Sequence, residues 1–152
     1  MLMLLFCVGN NRYGLEISQV VEIIPRVMLR KLNQAPEYVA GVFNYRGMIV
    51  PVVDLCNLIQ GYPCPSALSN RIIMVNYLAR ENCRQVIGLM AERVTETLER
   101  ADTELVGNEF ELNNAPYLGK ITSDEQGMIQ SLRLEYLLSD LQGTCLLPAQ
   151  ED

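Results

Sequence analysis

The sequence predicts a mainly β fold, arranged as paired small barrels or a sandwich rather than as an α/β enzyme. Three observations carry that expectation. Apolar segments are short and number roughly eight to ten. Turn-forming residues return about every 8 to 12 positions, and few stretches keep helical spacing. No repeat of about 20 to 50 residues stands out, which disfavours a propeller or solenoid. With 152 residues, 49% of them apolar, the chain can bury one ordinary core or two very small ones that share a surface.

Taken in order, Leu2 to Val8 is apolar throughout and ends at Gly9-Asn10-Asn11, the composition of a turn. "RYGLEI" then alternates, with Tyr13, Leu15 and Ile17 on one face, so a hairpin opens the fold. Ser18 is placed to cap a short helical turn in "SQVVEII", which is too β-branched for a long helix and stops at Pro25. "RVMLRKL" reads as another strand and Asn33 to Pro36 as a turn. Tyr38 to Tyr45 and Met48 to Val53 form two strands across Arg46-Gly47, where Gly47 supplies the positive φ that such a connection needs.

Asp54 then caps a short helix, "LCNLIQ", closed by Gly61. The turn-rich "GYPCPSALSN" is a linker, either within a domain or between two halves. "RIIMVNYLA" and "RQVIGLMAERV" are strands, "TETLERADTELVG" is a charged edge, and Gly107 to Ala115 is an acidic loop. "PYLGKITSD" and "GMIQSLRL" make a hairpin around Asp124 to Gly127, and "LEYLL" has helical spacing. The expected organisation is one domain over residues 1–141 and a poorly ordered tail over 142–152.

Composition excludes several functions. Net charge is −6 and the basic residues are scattered singly, which argues against a nucleic-acid ligand. The absence of histidine removes the usual general base, the usual phospho-acceptor and the commonest metal ligand. Five cysteines, Cys7, Cys56, Cys64, Cys83 and Cys145, show no C-x-x-C pairing and read as reduced cytosolic thiols, mostly small core residues. Cys64 lies on a turn-rich segment but has no histidine or adjacent base to activate it. Asp102, Glu104, Glu109 and Glu111 lack calcium-loop spacing and read as a solvated edge. Met48, Met74, Met90 and Met128 read as core fillers. "MLMLLFCVG" is a buried first strand, too short to span a membrane and without a basic leader. No catalytic, cofactor or metal site is expected.

Arg46 is the exception to these bland readings. A hairpin tip accepts Asn, Asp or Ser equally well, whereas Arg adds a planar fork of donors for a partner's carbonyl or carboxylate. Taken alone, it fits a solvated arginine as well as a binding one.

The segment around it resembles a known family. "APEYVAGVFNYRGMIVPVVDL" is similar to the most recognisable stretch of CheW-type coupling proteins, P-x-hydrophobic-x-G-hydrophobic-x-N-L-R-G and then V-P-hydrophobic-hydrophobic-D-L. "YGLEISQVVEII", "VIGLMAERV" and "YLGKITSDEQGMIQSLRLEYLL" resemble the other landmarks of that family in the same order. Tyr45 stands where the family has leucine, Ala91-Glu92 where it has Val-Asp, and Ser131 and Arg133 interrupt its closing run.

The resemblance implies a fold of two small five-stranded SH3-like barrels with short helices, and a cytoplasmic, non-enzymatic adaptor. Its implied partners are a chemoreceptor cytoplasmic tip and the regulatory domain of a CheA-type histidine kinase. It implies no nucleic acid and no membrane insertion beyond proximity through receptors. By position, Val20, Glu22, Gly41, Asn44, Arg46, Gly47, Gly88 and Val94 match the partner-binding region or its support. Arg46 is then the polar anchor, Val20 and Val94 apolar wall, and Glu22 a rim contact or the group that orients Arg46. The competing reading is a small β-barrel module for a ligand or nucleic acid, against which the acidic charge counts.

Overall fold

The computed structural model describes residues 2–65, 69–80, 83–94, 97–99, 117–124 and 127–137. The acidic stretch from Asp102 to Glu111, Cys145 and the 142–152 tail lie outside the described residues, as does the proposed boundary at 141.

The described strands are β1 (Leu2–Val8), β2 (Asn11–Glu16), β3 (Val20–Pro25), β4 (Val39–Tyr45), β5 (Met48–Asp54), β6 (Arg71–Arg80), β7 (Cys83–Ala91), β8 (Thr97–Glu99), β9 (Leu118–Asp124) and β10 (Gly127–Leu132), with one short helix, α1 (Leu55–Gln60). They form two five-stranded sheets, in the orders β8-β1-β2-β10-β9 and β3-β6-β7-β5-β4. The fold is therefore the all-β one that the sequence predicts.

The two sheets share one connectivity. In each, a central hairpin (β1-β2 or β6-β7) has an antiparallel strand on one side (β8 or β3). On its other side it pairs in parallel with the second strand of another hairpin, β10 on β2 and β5 on β7. The chain builds the first sheet from both its ends: β1 and β2 come first, β3 to β7 make the second sheet, and β8 to β10 return to complete the first. The sheets thus exchange chain after β2 and after β7. "GYPCPSALSN" lies between α1 and β6, inside the second sheet, so it is not a boundary between halves.

Alternation explains how one chain fills two cores. On β6, Ile73 and Val75 face a core shared with β1, β2 and α1, while Ile72 and Met74 face a second core inside the β3-to-β7 sheet. β7 does the same with Ile87, Leu89 and Ala91 on one side and Met90 on the other. Strands buried on both faces carry the continuous apolar runs seen here, since neither face meets water. A pair of backbone hydrogen bonds between Cys7 and Glu92, 2.8 and 3.0 Å long, stitches β1 to the residue after β7.

Local signals formed as read at several points. Asp54 caps α1, its carboxylate accepting from the Asn57 N–H at 3.2 Å, and Gly61 ends it with φ 88°. Residues 134–137 make one helical turn. Other expectations are corrected. Only Ile17–Gln19 forms a 3-10 turn, with Glu16 rather than Ser18 at its cap position, because Val20–Pro25 pairs with β6 and is drawn into the sheet. "RVMLRKL" forms a single bridge, Arg30 to Val42, instead of a strand. Met74 and Met90 are buried, but Met48 and Met128 are exposed, Met48 directly after the Arg46-Gly47 turn and Met128 second in β10.

Candidate functional site

β4 and β5 are joined by Arg46 and Gly47 with φ of 51° and 87°, so both central residues are left-handed, the type I′ geometry of tight hairpins. The sequence points to Gly47 as the residue with positive φ; the structure also puts Arg46 there. For a non-glycine residue that conformation is disfavoured, and the surroundings hold it. Asn44 Oδ1 accepts the Gly47 N–H at 2.9 Å across the turn, so Asn44 shapes the hairpin in the way that side chains of this type favour.

Across the sheet, Glu22 on β3 closes the arrangement. Its Oε1 accepts from the Tyr45 hydroxyl at 2.5 Å and from Arg46 Nη2 at 3.0 Å. The Arg46 guanidinium also lies 5.1 Å from the centre of the Tyr45 ring, within cation–π range. β3 and β4 are the opposite edges of their sheet, so this triad brings the two edges together. Tyr45 is buried while the Arg46 side chain is 67% exposed. Burial, and then the bond to Glu22, push the Tyr45 phenol above its ordinary range, so it stays protonated and remains a donor.

The remaining candidates fall into two groups. Gly41 and Gly88 are interior. A Cβ on Gly88 would lie 2.8 Å from Ile72 Cγ2 and 3.1 Å from Val52 Cγ2, and one on Gly41 would lie 2.6 Å from the Arg30 carbonyl oxygen. They allow close approach beneath the site and present no surface of their own. Val20 and Val94 are half-buried against the shared core, at the points where the chain has just crossed between sheets. Along β3, Val20 precedes Glu22 by two residues, with an irregularity in the pairing to β6 between them.

Sequence reading missed two features. The family pattern marks Tyr45 only as a leucine replacement, yet its hydroxyl and ring both hold the triad together. Exposed apolar residues lie near the tip along the chain: Met48 and Ile49 directly follow the turn, with Ile49 63% exposed, and Val21 and Ile23 flank Glu22 on the opposite face of β3. Strand alternation counted from the Arg46-Gly47 turn would have found Ile49, because it pairs with the exposed Asn44.

Cys56 and Cys64 depart from the expected free thiols: their sulfurs are bonded, with Cα atoms 5.0 Å apart. The left-handed Gly61 folds residues 62–64 back over α1, which brings together cysteines that carry no pairing signature. Cys7 is free and half-buried, and burial raises its thiol pKa. No described helix is long and apolar enough to cross a membrane.

Comparisons with known proteins agree with this geometry. The CheW-like domain profile matches residues 2–142. The chain is 28% identical over 138 residues to the chemotaxis protein CheW of Klebsiella aerogenes, covering 90% of this chain and 80% of that one. It is 27% identical over 135 residues to chemotaxis protein CheW of Helicobacter pylori, covering 88% and 78%. Among solved structures, the scaffolding protein TtCheW from Thermoanaerobacter tengcongensis superposes with a TM-score of 0.77 at 25% identity, over 90% of this chain and 86% of that one.

Proposed function

The chain belongs to the CheW-like domain family, and from that premise we propose that it is a cytoplasmic adaptor that couples chemoreceptor tips to a CheA-type histidine kinase. The family is a non-catalytic one, and the function lies in surfaces that hold two partners and pass a free-energy difference between them.

The observation that carries this reading is the presentation of Arg46. A side chain that is two-thirds exposed is fixed at its base by Glu22 and the Tyr45 ring, at the tip of a rigid hairpin. Only part of its donor fork is engaged by the Glu22 oxygen, so a partner's carbonyl or carboxylate can share the guanidinium at little ordering cost. The exposed Met48 and Ile49, which directly follow the turn, supply apolar area beside it, and an apolar surface next to a charged anchor suits a helical partner. Val20 and Val94 extend that wall to the junction of the sheets, where a receptor tip would lie. The kinase's regulatory domain would take a separate strand edge. Each contact is modest, as transient signalling interfaces are, and linkage within an assembly multiplies their strength.

Co-sedimentation of the Arg46→Ala variant with receptor-bearing membranes and kinase tests the assignment. Reduced receptor recovery and reduced kinase activation, with the urea midpoint lowered by less than about 0.5 M, are expected. Recovery equal to that of the unaltered protein sinks the role given to Arg46.

A further inference from the structure

The corner where β5 passes into α1 and residues 61–65 holds chemistry that an adaptor does not need. Cys56 lies in the first turn of α1 with no exposed surface, and Cys64 is half-buried on the segment that returns over it. The two sulfurs are bonded across a separation of 8 residues.

Backbone hydrogen bonds hold this corner independently of the sulfur bond. The Asp54 carboxylate accepts from Asn57 N–H at 3.2 Å and from Cys64 N–H at 3.1 Å, and Gly61 N–H donates to the Asn57 carbonyl at 2.9 Å. Each sulfur also has an acceptor within reach of a thiol proton: Glu92 Oε1 is 3.4 Å from Cys56 Sγ, and the Met90 carbonyl oxygen is 3.9 Å from Cys64 Sγ. On reduction each S–H would find an acceptor close to its sulfur's present position. Closing so short a ring restricts the unfolded chain less than a long one would. The hydrogen bonds of Asp54 and Gly61 do not depend on the sulfur bond and would remain when it opens, which is the requirement for reversible exchange.

A metal is the competing use of the same atoms, because Asp54, Cys56 and Cys64 offer ligand atoms within 4.8 Å of one another. Both Asp54 oxygens already accept backbone N–H groups, and a cation would have to displace them and uncap α1.

We infer that Cys56 and Cys64 form a reversible thiol–disulfide exchange site whose substrate is a small disulfide of the glutathione type, with Cys64 as the entry sulfur. The Cys64 thiolate attacks one sulfur of the small disulfide, forms a mixed disulfide and expels one small thiolate. The Cys56 thiolate then attacks Cys64 Sγ, forms the internal bond and expels the second. Two electrons pass from the protein to the small disulfide, and the two thiol protons go to the two departing thiolates. Cys64 enters because Cys56 is closed to solvent. The site bears on the rest of the molecule through α1, which packs on both β1 and β7 and so touches both sheets.

The test incubates the full chain in defined ratios of reduced to oxidised glutathione, followed by rapid alkylation and peptide mapping. Cys56 and Cys64 should be alkylated together under excess reduced glutathione and lose alkylation together under excess oxidised glutathione. The cycle should repeat without change in the far-ultraviolet circular dichroism. A Cys56→Ser variant should accumulate a glutathione adduct on Cys64, and a Cys64→Ser variant none on Cys56. If either variant fails to fold, brief exposure of the unaltered protein to limiting oxidised glutathione should place the mixed disulfide on Cys64. Three results overturn the inference: a pair that stays linked in reduced glutathione until unfolded, a pair that never links, or a reduced protein that retains stoichiometric zinc after exposure to zinc chloride and dialysis. The readout is the mass of two peptides, so it is independent of receptor or kinase binding.

Discussion

Replacing Glu22 by alanine should destabilise the protein well beyond the loss of a surface ion pair. The ion pair with Arg46, whose side chain is 67% exposed, contributes about 0 to 1 kcal/mol. The bond from Tyr45 is different, because Tyr45 is only 7% exposed. Truncating its acceptor leaves a part-buried hydroxyl without its partner, at about 1 to 3 kcal/mol. Glu22→Ala should therefore cost about 1 to 4 kcal/mol as the two losses combine, and Arg46→Ala less than about 1 kcal/mol. Glu22→Gln keeps a carbonyl acceptor for the phenol and should behave like Arg46→Ala. In urea denaturation at neutral pH, Glu22→Ala should lower the midpoint by about 1 M, given a slope of about 2 kcal/mol per molar. Adding Tyr45→Phe to Glu22→Ala should restore about 1 kcal/mol, since it removes the stranded hydroxyl. Equal midpoints for Glu22→Ala and Arg46→Ala, or no recovery in the double variant, would refute the claim that Tyr45 depends on Glu22.

Other outcomes follow from the same geometry. Gly88→Ala should lose about 1 to 3 kcal/mol, because its methyl meets Ile72 at 2.8 Å in a filled core. Gly47→Ala has open space around it and should lose only about 1 to 2 kcal/mol from its positive φ; a lower thermal midpoint for Gly47→Ala than for Gly88→Ala would contradict this ranking. Burial raises the pKa of Asp54 despite the N–H groups it accepts, so the native state holds its proton more tightly than the unfolded chain. Stability therefore falls as pH rises from the ordinary carboxylate range through the raised value. Asp54→Asn should remove that component, so that the variant gains on the unaltered protein between acid and neutral pH; a stability difference independent of pH would count against it. Reducing the Cys56–Cys64 bond should cost about 2.5 kcal/mol by the chain-entropy estimate, measured as a lower urea midpoint with reductant, and an unchanged midpoint would show that the ring contributes nothing.

Legibility in the sequence tracked the range of the interaction. The Arg46-Gly47 turn, the Asp54 cap and the Gly61 stop each depend on neighbours within about one helical turn, and each formed where it was read. The helix expected at Ser18 failed because pairing of β3 with β6 outweighed a weak local preference. The Tyr45 bond to Glu22 spans 23 residues, and no local pattern marks a tyrosine as the partner of a distant carboxylate. Cys56 and Cys64 were within reach in sequence, but only the left-handed reversal at Gly61 turns their sulfurs toward each other.

By itself, the sequence determined the β class, most strand boundaries, the presence of an exposed arginine on a tight hairpin, and the family resemblance that the comparisons bear out. These rest on alternation, turn chemistry and motif order, which are written along the chain. The tertiary structure alone decided that the first sheet is assembled from both ends of the chain, that β6 and β7 divide their side chains between two cores, and that Glu22 and Tyr45 hold the base of Arg46. The physical reason is that burial and side-chain pairing are properties of surfaces brought together. A strand's pattern says which faces are apolar, and only the packed chain says what each face meets.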